Sequence, residues 1–571
     1  MEQDYDIVVL GSGIAGSITA LVLQQAGMKT LVIERKTHPR FAIGESTIPT
    51  TTLLLTQLAE RYGIPELAEI STYQGLKKHG CAAWPKKVFW FGVHRAHAPL
   101  EPSHESVNEA ALPPVGPDVH MLRADVDAFL VSCFKKYGVD YVENTEVLDF
   151  QSDTESATLR IRNAAGEQAI RAQFVVDATG HASFLADRFK LRDEPAQLQT
   201  NTRSMFGHFE ALADLDEVLG GPNPAFRFRR DGGTMHHCFP GGWIWVIPFD
   251  NGVTSVGLEL DRRMYPLDES ISAEEEFKAL IDRYPSIQAH LGAMKPVRPL
   301  VRTDRIQFTS KTILGERFIL TPHAASFIEP LFSTGIVLTL SFISRFASEA
   351  SEAFATQDWR FERFRFIEKL FFAEVKQIDL LVNGLIHSFR DYELFKQYWR
   401  NWVFGTMAQY MCGVLVKGAT RTSPMLYGSG IAWFETDLQQ MHDWVCRSDL
   451  DPLLLAQQIK DRVDPWWPQL LSSMSQSDDD FAIGSERAVN VMAETVNLKI
   501  VHEFFRQIRN AYSAEEPSIK LSHGAEWMEK VRHEYLSYVK AHGLTGPAGK
   551  RIIWEVLPQL QARSHAASIT H

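Results

Sequence analysis

Two short segments of the 571-residue chain carry residue types and spacings that could do chemistry. Gly11-Ser12-Gly13-Ile14-Ala15-Gly16 follows the apolar run Ile7-Val8-Val9-Leu10, and Glu34 comes about 20 residues later. Glycines there let a turn tighten and let backbone approach a pyrophosphate whose charge sits on a helix N-terminus, while the carboxylate bonds ribose hydroxyls. Trp243-Ile244-Trp245-Val246-Ile247-Pro248 is the second segment. Residues two apart on a strand share a face, so the two indoles form one rigid aromatic plate. Such a plate is also ordinary core packing, and the two readings are compatible.

The elements needed to position these residues are legible. Ile7–Leu10, the glycine loop, Ile14–Gln25 and Thr30–Glu34 read as a βαβ unit, with Gly27 ending the helix. A helix is expected around Arg123–Tyr137, and strands at Tyr141–Phe150 and Ala157–Arg162. Phe174–Asp177 reads as a buried strand running into Ala178-Thr179-Gly180. From Met205 to Leu260, alternating runs bounded by glycine-rich turns predict an antiparallel sheet that includes the tryptophan segment. Helical spacing follows at Arg345–Phe354, Arg360–Tyr410, Leu453–Arg462 and Glu486–Tyr512. The expected division is residues 1–345 as a cofactor and substrate domain and 346–571 as a helical region, with a frayed tail from Ala562.

Composition narrows the class. A net charge of −12 argues against a nucleic-acid surface. Five cysteines, widely spaced and in no C-x-x-C pattern, predict a reducing, cytoplasmic setting without a disulfide framework or zinc site. The acidic start reads as having no signal peptide. The most apolar later stretch, Phe318–Ile343, contains Pro322, His323, Glu329 and Pro330, which argues against a membrane span. His94, His97 and His104 lie in a Pro-rich loop with no matching carboxylates, so no metal is expected there. His236 and His237 point to opposite strand faces, Cys81 reads as packing, and Trp466-Trp467 as a buried corner.

Four segments in this order resemble the flavin-dependent halogenases: Gly11–Gly16, Gly44-Glu45-Ser46-Thr47-Ile48-Pro49, the tryptophan segment, and Phe327-Ile328-Glu329-Pro330-Leu331-Phe332-Ser333-Thr334-Gly335-Ile336. The likeness spans roughly the first 345 residues. It implies a glutathione-reductase-type FAD fold with an inserted antiparallel sheet, and it implies FADH2-, O2- and halide-dependent chlorination or bromination. Oxygen would add to reduced flavin as a C4a-hydroperoxide, and halide attack would give hypohalous acid.

The resemblance assigns FAD contacts to Gly11, Gly13, Ala15, Gly16, Glu34, Arg35, Gly44, Glu45, Ser46, Arg123, Asp177, His323, Pro330, Gly335 and Ile336. It puts the halide beside Ser333, Thr334 and Gly335, and makes Gly44–Pro49 a strap over the isoalloxazine. Trp243 and Trp245 would wall the flavin from the substrate, which separates halogenation from hydroxylation. The lysine that passes on hypohalous acid would be Lys78, in Lys78-His79-Gly80, with Lys77 the alternative.

Two positions depart from family patterns. Tryptophan halogenases carry a second glutamate where this chain has Phe332, so an activated phenol or pyrrole, free or on a carrier protein, is expected rather than free tryptophan. His323 stands where related flavoproteins have Gly-Asp or Gly-Asn, and it either replaces that ribityl contact or weakens FAD retention. No second glycine fingerprint is present for a nicotinamide, so a separate reductase is expected. The rival readings are a flavin monooxygenase and a non-catalytic flavin-binding protein.

Overall fold

A computed structural model of the chain describes residues 3–110, 117–415, 426–430 and 432–464. The expected strand, glycine turn and helix are present as Gln3–Leu10 and Ile14–Gln25, followed by the strand Thr30–Ile33. Ile7–Leu10 and Thr30–Ile33 are buried along their whole length, as continuous apolar runs in a parallel sheet must be. Gln3–Leu10 pairs in parallel with Thr30–Ile33 on one side and Gly166–Asp177 on the other. Phe318–Leu320 and Asp140–Val142 extend the parallel run outward. Leu10 is in register with both Ile33 and Asp177. The glycine turn, Glu34 and the Ala-Thr-Gly turn therefore leave the sheet together at its carboxyl edge, where α/β folds bind ligands.

Two glycines make this edge possible. Gly11 has φ +91°, and a Cβ there would lie 2.7 Å from the Ala178 carbonyl oxygen. A Cβ on Gly16 would lie 2.0 Å from the Gly11 oxygen, because the helix crosses directly over the turn.

The antiparallel sheet expected between Met205 and Leu260 is present as a second sheet, in the strands Thr202–Glu210, Gly233–Phe239, Gly242–Pro248 and Thr254–Asp261. It extends further than the sequence reading. Val88–Val93 adds in parallel to Gly233–Phe239, and Glu105–Glu109 pairs beyond it. The segment holding His94, His97 and His104 is thus a short connection between two strands. A separate ribbon, Ala83–Lys86 with Asp118–Met121, sets Lys86 opposite Asp118. One face of the large sheet is apolar: Met235, Ile244, Val246, Val256 and Leu258 pack with Phe277 and Ile287 from the helices Ala273–Ile281 and Pro285–Leu291. Alternation then puts Thr234, His236, Trp243 and Trp245 on the opposite face.

The later helices are Thr334–Thr356, Arg365–Ser388, Tyr392–Leu415, Ala432–Val445 and Pro452–Val463. Ile367, Leu370, Phe371, Val375, Ile378, Leu381, Val382 and Leu385 recur at three- and four-residue spacing and are buried, which makes Arg365–Ser388 a core helix. The segment Leu331–Thr356 is long and apolar enough to cross a bilayer, but 83% of its most apolar window is buried inside the protein. The expected helix Glu486–Tyr512, Trp466-Trp467 and the tail lie outside the described residues.

The contacts define two compact units. One holds both sheets, running to Val403 and including Ala432–Gln457; the remaining described residues, 404–415, 426–430 and 458–464, belong to the other. The boundary expected at 345 falls inside the helix Thr334–Thr356.

Gly16→Ala should destabilise the protein by about 2–3 kcal/mol, since the added methyl meets backbone that cannot rotate away. Thermal unfolding measures this, and an unchanged midpoint would mean that the helix slides off the turn freely.

Candidate active site

The carboxyl edge of the first sheet is built for an anion and a ribose. Glu34 receives the backbone N–H groups of Ser12 and Lys36, each at 2.9 Å, and the Ser12 hydroxyl at 3.0 Å. Burial pushes its pKa up, but these donors and Arg40 outweigh burial and hold the carboxyl below its ordinary range. A Cβ placed on Gly13 would lie 3.7 Å from an Arg40 nitrogen, 3.8 Å from an Asp127 carboxylate oxygen and 3.9 Å from an Arg123 nitrogen. The backbone at Gly13 is therefore faced by two guanidinium groups, with the carboxylate that pairs with Arg123 between them. Arg123 is fixed by a bidentate pair with Asp127 at 3.0 Å and by donation to the Ile43 carbonyl at 2.9 Å.

From this edge a cavity of about 180 Å³ runs to the second sheet. Gly44, Glu45, Ser46, Arg123, His323, Pro330, Ser333, Thr334, Gly335 and Ile336 line it from one side, and Thr234, His236, Trp243, Trp245 and Ile247 from the other. Glu45 is tied to His208 at 2.9 Å. The indoles of Trp243 and Trp245 sit 5.9 Å apart, centroid to centroid, with their planes inclined at 50°, so they form an angled wall rather than the single plate expected from the strand spacing. Trp243 donates its indole N–H to Glu329 at 2.5 Å, and the other Glu329 oxygen accepts from the Leu331 backbone at 2.6 Å. Burial pushes the Glu329 carboxyl up to about 8.

After Glu329 the chain turns through two left-handed residues, Phe332 (φ 70°) and Ser333 (φ 55°), into the helix Thr334–Thr356. Ser333 N–H is already spent on the Pro330 carbonyl. The helix start leaves the N–H groups of Thr334, Gly335 and Ile336 without intrahelical acceptors, and their dipoles favour an anion. His323 packs against this start, since a Cβ on Gly335 would lie 2.7 Å from its ring. Burial pushes His323 down to about 4, so it is neutral.

Lys78 is elsewhere. Its side chain is 64% exposed and pairs with Glu69 at 2.5 Å; the short helix Tyr73–Lys78 carries it outward, away from the cavity. Lys77 pairs with Asp250 at 2.8 Å. The lysine next to the cavity is Lys86, which the sequence reading passed over. It is wholly buried, donates to Ser46 Oγ and to the Thr47 carbonyl at 2.7 Å each, and lies 3.4 Å from the Phe89 ring centroid. Ser46 Oγ in turn bonds Thr234 Oγ1 at 3.1 Å, and His120 Nε2 bonds the same hydroxyl at 2.9 Å. Burial pushes Lys86 well below and Asp118 well above their ordinary values, so each is driven toward its neutral form. A detectable signal was Pro85-Lys86-Lys87-Val88-Phe89-Trp90-Phe91, a lysine entering an aromatic strand.

Other assignments shift as well. Arg35 is exposed and does not line the cavity, whereas Arg40 faces Gly13. The Asp177 carboxylate is occupied within its own turn by Thr179, Ser183 and the Leu185 N–H. Phe332 does not line the cavity; it stacks on Trp402 at 4.5 Å. His237 belongs to a buried chain, His94 to His237 to His290, with 2.9 Å links. Among the described residues no group of three His, Cys, Asp or Glu side chains could hold a metal ion.

Residues 6–88 and 94–364 match the family model described as tryptophan halogenase, so the chain belongs to the flavin-dependent halogenase family. It is similar to monodechloroaminopyrrolnitrin halogenase PrnC of Pseudomonas fluorescens, with 36% identity over 412 residues and 71% of each chain covered. Tetracycline 7-halogenase of Kitasatospora aureofaciens is 35% identical over 412 residues, covering 70% of this chain and 73% of the relative. The crystal structure of halogenase PltM in complex with phloroglucinol and FAD aligns with a TM-score of 0.75 at 27% identity, covering 81% of this chain and 95% of PltM. The protein is an enzyme of this type, and its cofactors are FAD and a halide. Its own residues fit FAD: Gly13 presents bare backbone, and Arg40 and Arg123 face it, with Asp127 paired to Arg123.

Gly13→Val should leave the fold intact, because its first carbon meets only ordinary contacts, yet it fills the space before the guanidiniums. FAD affinity should fall about 100-fold, roughly 2.7 kcal/mol, by fluorescence titration, with the unfolding midpoint of the flavin-free protein unchanged. Parental affinity would remove this edge from the cofactor site.

Glu329 supplies a pH test. Its raised native pKa means that the folded protein binds more protons than the unfolded chain between about pH 4.5 and 8, so this group makes stability fall as pH rises through that window. Glu329→Gln, always neutral, should make the decline in unfolding midpoint over that range shallower, and an unaltered slope would contradict a buried, protonated Glu329.

Proposed function

We propose that this enzyme chlorinates or brominates an electron-rich phenol or pyrrole, free or held on a carrier protein, with reduced FAD supplied by a separate reductase. The observation that carries the reading is the pairing of two tryptophans on one cavity wall with a buried lysine held to Ser46, which lines the same cavity. The strand order of the first sheet supports assigning it to the glutathione-reductase type of FAD fold. Bound reduced FAD supplies the reduction of dioxygen that turns halide into hypohalous acid. The chain's residues do the rest. N–H groups at the start of the helix Thr334–Thr356, beside Ser333, hold the halide. Trp243 and Trp245 keep the aromatic substrate away from the flavin, and Gly44, Glu45 and Ser46 form the strap.

Lys86, rather than Lys78, is assigned the electrophile. Only a neutral amine has a lone pair for the halogen, and burial moves Lys86 toward that form. Ser46 and the Thr47 carbonyl fix its nitrogen one hydrogen bond behind the cavity wall. Support for the substrate class comes from the relatives named for monodechloroaminopyrrolnitrin and tetracycline, and from a chlorinase of pyrrole-2-carbonyl on a peptidyl carrier protein that is 27% identical. Phe332 fits the same class, since no carboxylate stands at that position.

The test supplies a flavin reductase, NADH, oxygen and chloride or bromide, and screens 4-methylphenol, phloroglucinol, pyrrole-2-carboxamide and free tryptophan by mass spectrometry. Halogenated phenol or pyrrole should exceed halogenated tryptophan. Lys86→Met should lower product formation about 100-fold, equal to about 2.7 kcal/mol of barrier, while FAD affinity holds. Lys78→Met should stay within about twofold of the parent. Hydroxylated products throughout, or loss of activity in Lys78→Met with Lys86→Met active, would overturn these assignments.

A further inference from the structure

His236 lies on the strand Gly233–Phe239, on the same face as Thr234. Its ring is fixed on three sides. Phe91 stacks on it at 4.3 Å and 11°, Trp243 stacks at 5.5 Å and 29°, and Nδ1 lies 2.8 Å from the Trp90 carbonyl oxygen. A carbonyl oxygen only accepts, so Nδ1 must carry the proton. Burial pushes this imidazole down to about 3, and a neutral ring has a single N–H, already spent on Trp90. Nε2 is therefore a bare lone pair. It has no hydrogen-bond partner among the described residues, and His236 lines the cavity. Two residues away on the same face, the Thr234 hydroxyl leads through Ser46 to Lys86.

A histidine that only packed would need neither this tautomer nor a free nitrogen at the cavity. We infer that Nε2 of His236 is the base that removes the ring proton during halogenation. This rests on the reading that the reaction is electrophilic substitution by hypohalous acid. The halogen first bonds to a ring carbon using a π electron pair, while the halogen–oxygen bond, or the halogen–nitrogen bond once Lys86 carries it, breaks and leaves its pair behind. The ring is now a cation. The C–H bond then breaks, its electrons restore aromaticity, and the proton goes to Nε2. The imidazolium passes this proton to the hydroxide left from hypohalous acid, or, where Lys86 carried the halogen and water was lost when the haloamine formed, to the Lys86 nitrogen that kept the electron pair. By either route arene and hypohalous acid become haloarene and water.

A weak base is enough here, because a protonated arene is a strong acid. The low basicity of a buried imidazole is also an advantage, since the ring never arrives already protonated. Lys86 and His120 are likewise buried and driven toward their neutral forms, as are His323 and Glu329, which line the same cavity; the guanidinium of Arg123 also lines it and is paired with Asp127.

The test is an isotope effect. Proton loss is normally fast in electrophilic substitution, and a substrate deuterated at the reacting carbon reacts at nearly the protiated rate. The substrate is whichever phenol or pyrrole the parent enzyme halogenates fastest, protiated and deuterated. His236→Gln keeps a donor for the Trp90 carbonyl but offers only a feebly basic amide oxygen. It should halogenate at least tenfold more slowly, with FAD affinity unchanged and an isotope effect raised to about 2 or more. A slowed variant whose isotope effect does not rise would make His236 structural and overturn the proposal, as would a parental rate. Should His236→Gln fail to fold, nitrogen NMR of the histidine-labelled parent holoenzyme decides the matter. An unprotonated Nε2 supports the role, and a protonated Nε2 overturns it. Failure of the parent enzyme to halogenate any arene would instead overturn the proposed function.

Discussion

One hydrogen bond joins the two halves of the site: the indole N–H of Trp243 to the carboxyl group of Glu329. Trp243 belongs to the second sheet, and Glu329 opens the turn that follows the first. The other Glu329 oxygen holds the Leu331 N–H, so one side chain sets both the pitch of the aromatic wall and the path of the turn. Both groups are buried, and losing either partner would strand a polar atom away from water, at about 1–3 kcal/mol. The next residues, Phe332 and Ser333, adopt left-handed conformations that side chains rarely accept. Trp402 stacking on Phe332 secures that strain from the opposite side. The start of the helix Thr334–Thr356 is thereby aimed at the cavity and fixed relative to the tryptophans.

Around Ser46 and Thr234 the governing constraint is desolvation. Lys86, Asp118, His120 and His236 are all wholly buried, and in each the neutral form is favoured. Charged forms in such surroundings are expensive, and paired neutral forms are not. The result is an amine linked through the hydroxyls of Ser46 and Thr234 to the imidazole of His120, with the His236 imidazole two residues along the strand from Thr234. An oxidising electrophile reaching this region meets nucleophilic nitrogen before it meets solvent.

Much of the fold was legible because its signals are local. The glycine fingerprint, two fully apolar strands and Glu34 each follow from chain geometry at a tight turn, and the antiparallel sheet follows from alternation. The catalytic detail was less legible because it depends on pairing across long sequence distances. Lys86 is buried only because Asp118–Met121 pairs with its strand and Ser46 folds back to it, and a Lys-x-Gly match could not reveal either event. Lys78 stands at the end of a one-turn helix, where its long side chain reaches solvent and Glu69. Phe332 stands where the resemblance puts a glutamate, but its φ is positive and its ring stacks on Trp402, outside the cavity lining. Arg40 replaces Arg35 beside Gly13 because the chain bends after the strand Thr30–Ile33.

The account holds that the halide sits at the start of the helix Thr334–Thr356 while the electrophile carrier is Lys86, held to Ser46 and Thr47. Anomalous diffraction from a crystal of the FAD-loaded protein grown in bromide tests this most directly. The account predicts a bromide peak within hydrogen-bond distance of the backbone N–H of Thr334 or Gly335, with Lys86 unbrominated and still bonded to Ser46. A peak at Lys86, with the helix start empty, would contradict it.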